Sequence, residues 1–505
     1  MKDTLRSGMR HERKLILLLC AIAALRVFIF SAAFPFFNNV DEQAHLDLVM
    51  KYARGEVPHD LGHYSSESAN YISLYGTPEY FTPPQQFKTN DFPSPNWTLP
   101  AEHRENAVNR TSAWWQANEN HESGEPPLYY TLAALWLNLG RVFQITNGWL
   151  LYWLRFLNVL LAVALVWVGF AAARLIFPDQ EVVRLGLPLF LAVWPETTFY
   201  SIQSDSLSPI CFGIAFIGLI KLLEAERPSL LLAIWTGFAL AATCLAKTTN
   251  IALLFVVPIA LIFKFRNLSE RRTLRPLLLS VAALIGSVAV PIALWFAWNV
   301  HTFGDLTATA SKLDFLGWTR KPLSNWWPHP IFTLHGLKEF WPDLMASFWR
   351  GEFVWHGTRL ACQATDAFYW ISSTVVILLT PISLIWRRSK LIPFQRQSLW
   401  LALSSFVVLV LLLAVLSIAF DFGLCVYPSR EHPYFTSGRL ISAAAVPFFL
   451  LYSYALQRVL SWIPIQWPRI ILSGGIVLFI VVSQSVVNSR AFRSHYNLFH
   501  LSQSL

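Results

Sequence analysis

Charge is scarce in this chain. Asp, Glu, Lys and Arg make up only 14% of its 505 residues, against about 25% in soluble domains. That shortage excludes an ordinary soluble enzyme and a charge-rich disordered chain. Cysteine is also scarce, with five residues scattered along the sequence, which excludes a disulfide scaffold. Cys20, Cys211 and Cys244 fall in apolar runs and read as packing residues, while Cys362 and Cys425 could pair without any spacing that requires it. No Arg-rich tract or nucleic-acid motif stands out. The net charge of +9 is better explained by Lys and Arg gathering at cytoplasmic helix ends, so nucleic acid is not expected as a partner. Regular alternation of polar and apolar residues is missing as well, which argues against a β-barrel.

What the chain has in abundance is long apolar runs. Twelve stand out, at 14–34, 126–146, 154–176, 185–202, 207–223, 228–246, 250–265, 276–298, 367–386, 397–420, 439–457 and 469–487. Most approach the ~20 residues that a helix needs to cross a bilayer. The first follows a basic leader, 1–13, and reads as an uncleaved anchor because Arg26 interrupts a long run. If 126–146 lies in the outer leaflet instead of crossing, 20 of the 39 Lys and Arg fall in six short cytoplasmic segments. If it crosses, Lys264, Arg266, Arg271, Arg272, Arg387 and Arg388 move outside, against the positive-inside rule. The expected fold is therefore an all-α polytopic bundle. It has eleven crossings and one re-entrant or interfacial helix, with the N-terminus inside and a tail, 488–505, outside. One transmembrane domain, 14–487, then carries two outer loops, 35–153 and 299–366.

The outer loops hold the polar mass. Residues 35–125 contain 13 of the 30 acidic residues and five of the 13 histidines. Asp41, Glu42 and His45 follow the first crossing, and 41–54 reads as a short amphipathic helix. Carboxylates placed there can serve as a general base or a divalent-metal ligand; helix capping is the competing account. Glu125 precedes Pro126-Pro127-Leu128-Tyr129-Tyr130, and Asp205 lies in an outer turn. Cations face the same side: Lys247, Arg350 and Arg439, with Arg26 inside the first run. They suit a lipid phosphate, or they snorkel. Trp114, Trp115, Trp326, Trp327, Trp341, Trp349 and Trp355 form either an interfacial belt or a platform for a sugar ring or prenyl chain. Residues 76–100 hold six prolines and read as an irregular loop, a candidate lid over an acceptor.

Taken in order, these landmarks resemble the GT-C superfamily of integral-membrane glycosyltransferases. That group includes protein O-mannosyltransferases, the aminoarabinose transferase of lipid A and the oligosaccharyltransferase catalytic subunit. Within it the nearest likeness is to bacterial predicted membrane proteins. The resemblance rests on Asp41-Glu42 after the first crossing, Pro126–Tyr130, Trp194-Pro195 with Asp205, Lys247-Thr248, Trp298-Asn299 with Gly304-Asp305, and Gly438-Arg439. It spans about 14–460. The chain has Glu125 where the superfamily often has His, and Leu440 where it often has Tyr.

The resemblance implies transfer of a sugar from a polyprenyl-phosphate donor to a glycan, lipid or protein acceptor, on the extracytoplasmic face of a plasma membrane. It implies Asp41 as base or acceptor-orienting carboxylate, with Glu42 as its partner. Asp205, Glu125 and His45 would serve the acceptor or supply a second carboxylate. Lys247, Arg350 and Arg439 would face the donor phosphate. If a divalent metal takes part, Asp41 and Asp205 are its expected ligands. Two other functions remain open from sequence: a transporter or flippase for a lipid-linked saccharide, and a non-catalytic partner that keeps the fold.

Overall fold

The computed structural model describes residues 2–87, 91–267, 274–385, 391–425 and 427–504. Among these residues the chain is helical. Its helices are α1 (Lys2–Ala33), α2 (Glu42–Ala53), α3 (Ser66–Tyr75), α4 (Ala101–Ala117), α5 (Pro127–Val142), α6 (Asn147–Ile176), α7 (Glu181–Val193), α8 (Ser208–Glu224) and α9 (Leu230–Ala246). They continue as α10 (Val256–Arg266), α11 (Leu274–Phe303), α12 (Ala310–Phe315), α13 (Leu334–Arg350), α14 (Gln363–Ile385), α15 (Pro393–Ala419), α16 (Ala445–Trp462) and α17 (Gln466–Val487). Strand among the described residues is confined to two short antiparallel pairs. β1 (Thr319–Arg320) pairs with β4 (Phe420–Asp421), and β2 (Val354–Trp355) pairs with β3 (Thr358–Arg359).

Nine helical spans among the described residues are long and apolar enough to cross a membrane. The shorter apolar helix α9 accompanies them, and α7, which the sequence reading also counts as a crossing, has 13 residues. One end of the bundle is marked by Glu12. There Arg184 pairs with Glu12 at 2.5 Å, Gln395 donates to the Ile176 carbonyl at 3.1 Å, and Lys264 donates to the Ala225 carbonyl. Asp41 marks the other end. Arg271, Arg272, Arg387 and Arg388, which weigh on sidedness, lie outside the described residues. Small residues let the helices approach closely. A Cβ on Gly237 of α9 would stand 2.6 Å from the Leu284 carbonyl of α11. Arg26 belongs to this packing, since its Nε donates to the Ala192 carbonyl of α7 at 2.9 Å. Cys362 and Cys425 are free thiols.

The apolar helix α5 does not run from end to end. It starts beside Glu125, at the Asp41 end. Near its finish Arg141 pairs with Glu67 of α3 at 2.6 Å. Midway, Trp136 and Trp153 stack at 4.3 Å and each donates to the other's carbonyl. Leu132, Leu135, Leu139 and Val142 stay exposed along one side, as suits a helix lying in an interface. α13 is also packed at this end. Trp341 donates to Thr374 at 2.7 Å, and Trp349 donates to Ser373 at 3.0 Å while stacking on Tyr369. These two tryptophans therefore fasten α13 to α14, and neither is an open platform.

Two spans that read as continuous from sequence open instead with a 3₁₀ turn. Thr248–Phe255 precedes α10, and Gly438–Ala444 precedes α16. Proline is the third residue of both α-helices, Pro258 and Pro447. Its ring clashes with the carbonyl four residues back, so the preceding turns tighten, as helix N-termini commonly do. Lys247 and Arg439 stand at the two entrances.

The proline-rich segment after α3 is held by the tail that follows α17. Ser494 donates to Glu79 at 2.6 Å, and Tyr496 donates to the Pro93 carbonyl at 2.6 Å. Burial pushes the Glu79 carboxyl up to about 7, against the hydrogen bonds from Ser494 and Thr77. The folded state therefore holds a proton that the unfolded chain releases near its ordinary value of 4.5. Stability from this group is complete below that value and is lost as pH rises toward 7. Glu79→Gln is expected to flatten that part of the melting-temperature profile between pH 5 and 8; a profile unchanged from wild type would refute the assignment.

Candidate active site

Asp41 sits in the turn between α1 and α2. Its φ is +64°, in the left-handed region, where Asp and Asn are enriched among non-glycine residues. It is the N-cap of α2, yet its side chain makes no capping hydrogen bond. The carboxylate turns away from the helix instead. Oδ2 accepts from Arg439 Nη2 at 2.7 Å, and Oδ1 lies 3.2 Å from His121 Nε2. About one fifth of the side chain is open to solvent (21%), so it can still meet a ligand.

A charged cluster extends from this pair. Arg439 also reaches Glu352 at 3.4 Å and Asp205 at 3.7 Å. Lys247 lies 3.4 Å from Glu125 and 3.7 Å from Asp205. Lys312, from α12, crosses to Glu122 at 2.7 Å and Glu125 at 3.6 Å. Glu352 accepts from Ser437 at 2.7 Å and pairs with Arg359 at 2.9 Å. Behind this layer His45 is fully buried, with Nδ1 2.7 Å from the Tyr130 hydroxyl and Nε2 without a hydrogen-bond partner. Asp205 Oδ2, Glu122 Oε2, Glu125 Oε2 and Arg439 Nη1 are also buried without hydrogen-bond partners. Buried polar atoms are rarely left so, and this density of them marks a place built for a polar ligand or water.

The acids do not titrate alike. Burial alone would raise Asp41, but the His121 hydrogen bond and the Arg439 charge hold its carboxyl well below the usual carboxylate range. Burial is likewise outweighed at Glu122, where Lys312 and then Lys247 hold the carboxyl low. At Glu125 burial wins over Lys247, and the like charge of Glu122 adds to it, so that carboxyl is raised. Lys247 and Lys312 stay charged despite burial, because Asp205, Glu125 and Glu122 face them. Burial pushes His45 down to about 3, so it is neutral.

Five of the residues expected from sequence meet here: Asp41, Glu125, Asp205, Lys247 and Arg439. His45 stands directly behind them. Two expectations need correction. Glu42 faces away from Asp41 and is saturated. It takes two bonds from Arg155, at 2.8 and 2.7 Å, and two more from the backbone N–H groups of Phe37 and Ile202. The left-handed backbone at Asp41 turns its carboxylate toward Arg439 and His121, while Glu42, the first residue of α2, points to Arg155. Arg350, expected to face the donor phosphate, is committed elsewhere, pairing bidentately with Asp366 at 2.8 and 3.1 Å; the cation that meets Glu352 beside Arg439 is Arg359.

Sequence reading missed His121, Glu122, Lys312, Glu352 and Arg359. A signal existed for the first two, because Glu119, His121, Glu122 and Glu125 fall within seven residues. Lys312 and Arg359 carry no local signal. The expected metal pair also changes. Asp41 groups with His121 and Glu122, their ligand atoms lying within 4.8 Å of one another, while Asp205 faces Lys247 and Arg439. An imidazole with two carboxylates is a suitable donor set for a divalent ion, and the orphaned Glu122 Oε2 fits a ligand role.

A helical membrane bundle with a charged, partly open cluster at one end is the class that fold and site define. The chain belongs to the family described as "Predicted membrane protein (DUF2142)", whose model matches residues 25–423. That agrees with the resemblance to predicted membrane proteins drawn from the motifs. No curated protein matches the chain. Among solved structures it is similar to the oligosaccharyltransferase of Archaeoglobus fulgidus in complex with Zn and sulfate. The identity is 11% and the TM-score 0.41, covering 93% of this chain and 53% of that one. The chain thus spans about half the length of that protein. It is also similar to ArnT from Cupriavidus metallidurans bound to undecaprenyl phosphate, with 12% identity and a TM-score of 0.35, covering 88% of this chain and 77% of that one. Family membership rests on the family match, not on these overlaps.

Proposed function

We propose that this chain is an integral-membrane glycosyltransferase of the GT-C type. It would move a sugar from a polyprenyl-phosphate donor to an extracytoplasmic glycan, lipid or protein acceptor. The observation that carries the reading is Asp41: an ionised, partly open carboxylate on a left-handed residue, set among Arg439, Lys247 and Lys312. In this reading Asp41 accepts a hydrogen bond from the acceptor nucleophile and takes its proton as the new glycosidic bond forms. The bond between the sugar and the phosphate oxygen breaks with its electron pair on oxygen. Arg439, Lys247 and Lys312 meet the negative charge that develops there, and such fixed groups lower the barrier because they need no reorganisation. Glu125, whose carboxyl burial raises, suits protonation of the departing phosphate. If a divalent ion takes part, Asp41, His121 and Glu122 would hold it, and it would add Lewis-acid stabilisation of charge.

The test is transfer from a panel of radiolabelled polyprenyl-phosphate sugars by the purified full chain in lipid, with Asp41→Asn in parallel. Transfer by wild type that disappears in the variant supports the enzyme and its principal carboxylate together. Donor binding without transfer by wild type would overturn the enzymatic reading and favour a transporter or a non-catalytic partner.

A further inference from the structure

A second group of ligand-bearing side chains lies outside the charged cluster. Glu339 and Asp343 stand one turn apart on α13, and His432 comes from the loop that joins β4 to the 3₁₀ turn at Gly438. Their ligand atoms all lie within 4.8 Å of one another, with His432 Nε2 3.2 Å from Asp343 Oδ2. The electrostatics differ from those at Asp41. Each carboxylate there has a Lys or Arg partner. Among the described residues, neither Glu339 nor Asp343 has a lysine or arginine within ion-pairing distance. Two like charges at i and i+4 on a helix repel, and no described lysine or arginine at pairing distance offsets that repulsion. A cation would.

The group is also held in place from both sides. His432 donates its backbone N–H to Ser429 Oγ at 3.0 Å and accepts from the Ser429 N–H at 3.2 Å. Its ring packs edge-on against Tyr434 at 4.9 Å. His329 Nε2 lies 3.1 Å from the Pro433 carbonyl, so the loop is seated before any ion arrives. The Asp343 and His432 side chains are 48% and 35% exposed, which leaves a path from solvent.

We infer that Glu339, Asp343 and His432 form a binding site for a divalent transition cation, with Zn²⁺ the best-matched candidate. One imidazole nitrogen and two carboxylate oxygens suit Zn²⁺, and a fourth tetrahedral position remains for water. Ca²⁺ would want six to eight oxygens. The ion has a structural task that follows from where the two elements lead. α13 runs into Glu352, and the loop runs into Ser437 and Arg439. Ser347 of α13 already accepts from the Gly438 N–H at 2.7 Å, and Ser437 donates to Glu352 at 2.7 Å. An ion joining α13 to the loop fixes the same register from the other end and steadies the Arg439–Glu352 pair. The inference does not depend on what the cluster at Asp41 does.

The test uses the full chain in detergent, purified without a polyhistidine tag, stripped by chelator and titrated with Zn²⁺ alone. Bound zinc and melting temperature are both read. Three variants accompany wild type: His432→Asn; Glu339→Gln with Asp343→Asn; and Asp41→Asn with His121→Asn, which removes the other three-ligand group. Groups that only orient a metal ligand typically cost ~10–100-fold in affinity when removed, and loss of a ligand should cost no less. Zinc binding at micromolar concentration, with a raised melting temperature, should persist in the Asp41/His121 variant and weaken at least that far in the first two. Zinc-free melting curves that match wild type confirm that those variants fold. If either fails to fold, X-ray absorption of the zinc-loaded Asp41/His121 variant decides. One imidazole with carboxylate oxygens supports the site, and a shell of oxygen alone overturns it. The inference is also overturned if wild type binds no zinc, if all variants bind it equally, or if only the Asp41/His121 variant loses it.

Discussion

Asp41→Asn is expected to lower transfer by ~10²–10⁴-fold, the usual contribution of a positioned general base, while the melting temperature stays close to wild type. The choice of asparagine matters. Residue 41 has a φ of +64°, which Asn tolerates nearly as well as Asp; alanine would add backbone strain to the loss of charge and confuse the result. Arg439 keeps Glu352 and Asp205 as partners, so the variant does not leave a buried cation alone. The amide still accepts one hydrogen bond but can neither take a proton nor match the charge of Arg439 and His121. Loss should therefore fall mainly on kcat, with donor binding kept. A variant that folds and transfers at more than a tenth of the wild-type rate would remove Asp41 from the chemistry.

Much of the architecture was legible because it follows from local composition. Apolar runs of bilayer length and the placement of Lys and Arg predicted the bundle, and they also predicted that 126–146 stays at one end. Pro126-Pro127 marked the start of α5 correctly. What resisted reading was direction. Asp41 and Glu42 are adjacent, and nothing in their order says which one turns toward the cluster; the left-handed backbone at Asp41 decides it. Arg350 read as a cation for the site, but the packing of α13 on α14 gives it to Asp366, and Arg359, which carries no local signal, pairs with Glu352. Lys312 reaches Glu122 from 190 positions away in the chain. No local pattern encodes such a meeting. Continuous apolar runs likewise hid the 3₁₀ entrances at Lys247 and Arg439, although Pro258 and Pro447 were the available clue.

The neighbouring acid should behave in the opposite way. Glu42→Gln and Arg155→Met are each expected to destabilise the fold strongly, because breaking a buried ion pair by removing one partner costs ~3–5 kcal/mol. The pair is almost wholly excluded from solvent, at 0% for Glu42 and 1% for Arg155. Arg155 spends its other donors on the carbonyls of Ser31, Phe34 and Pro35, at 3.3, 2.6 and 3.0 Å, and its guanidinium lies 4.1 Å over the Phe36 ring. It therefore ties α6 to the turn that aims Asp41, while Glu42 ties the same turn to the backbone of Ile202. With Arg155 gone, a carboxylate is left buried beside two N–H donors; with Glu42 neutralised, a guanidinium is left buried among carbonyls. The double variant removes both charges at once, so its loss should be clearly smaller than the sum of the single losses. Unfolding of all three in detergent, compared with wild type, measures that difference. Additive losses would mean that the two residues act separately, and single losses near zero would mean that the turn holding Asp41 does not need them. In the expected case transfer per folded molecule recovers only if Asp41 keeps its direction, so activity of the double variant reports how far this ion pair sets the geometry of the site it never touches.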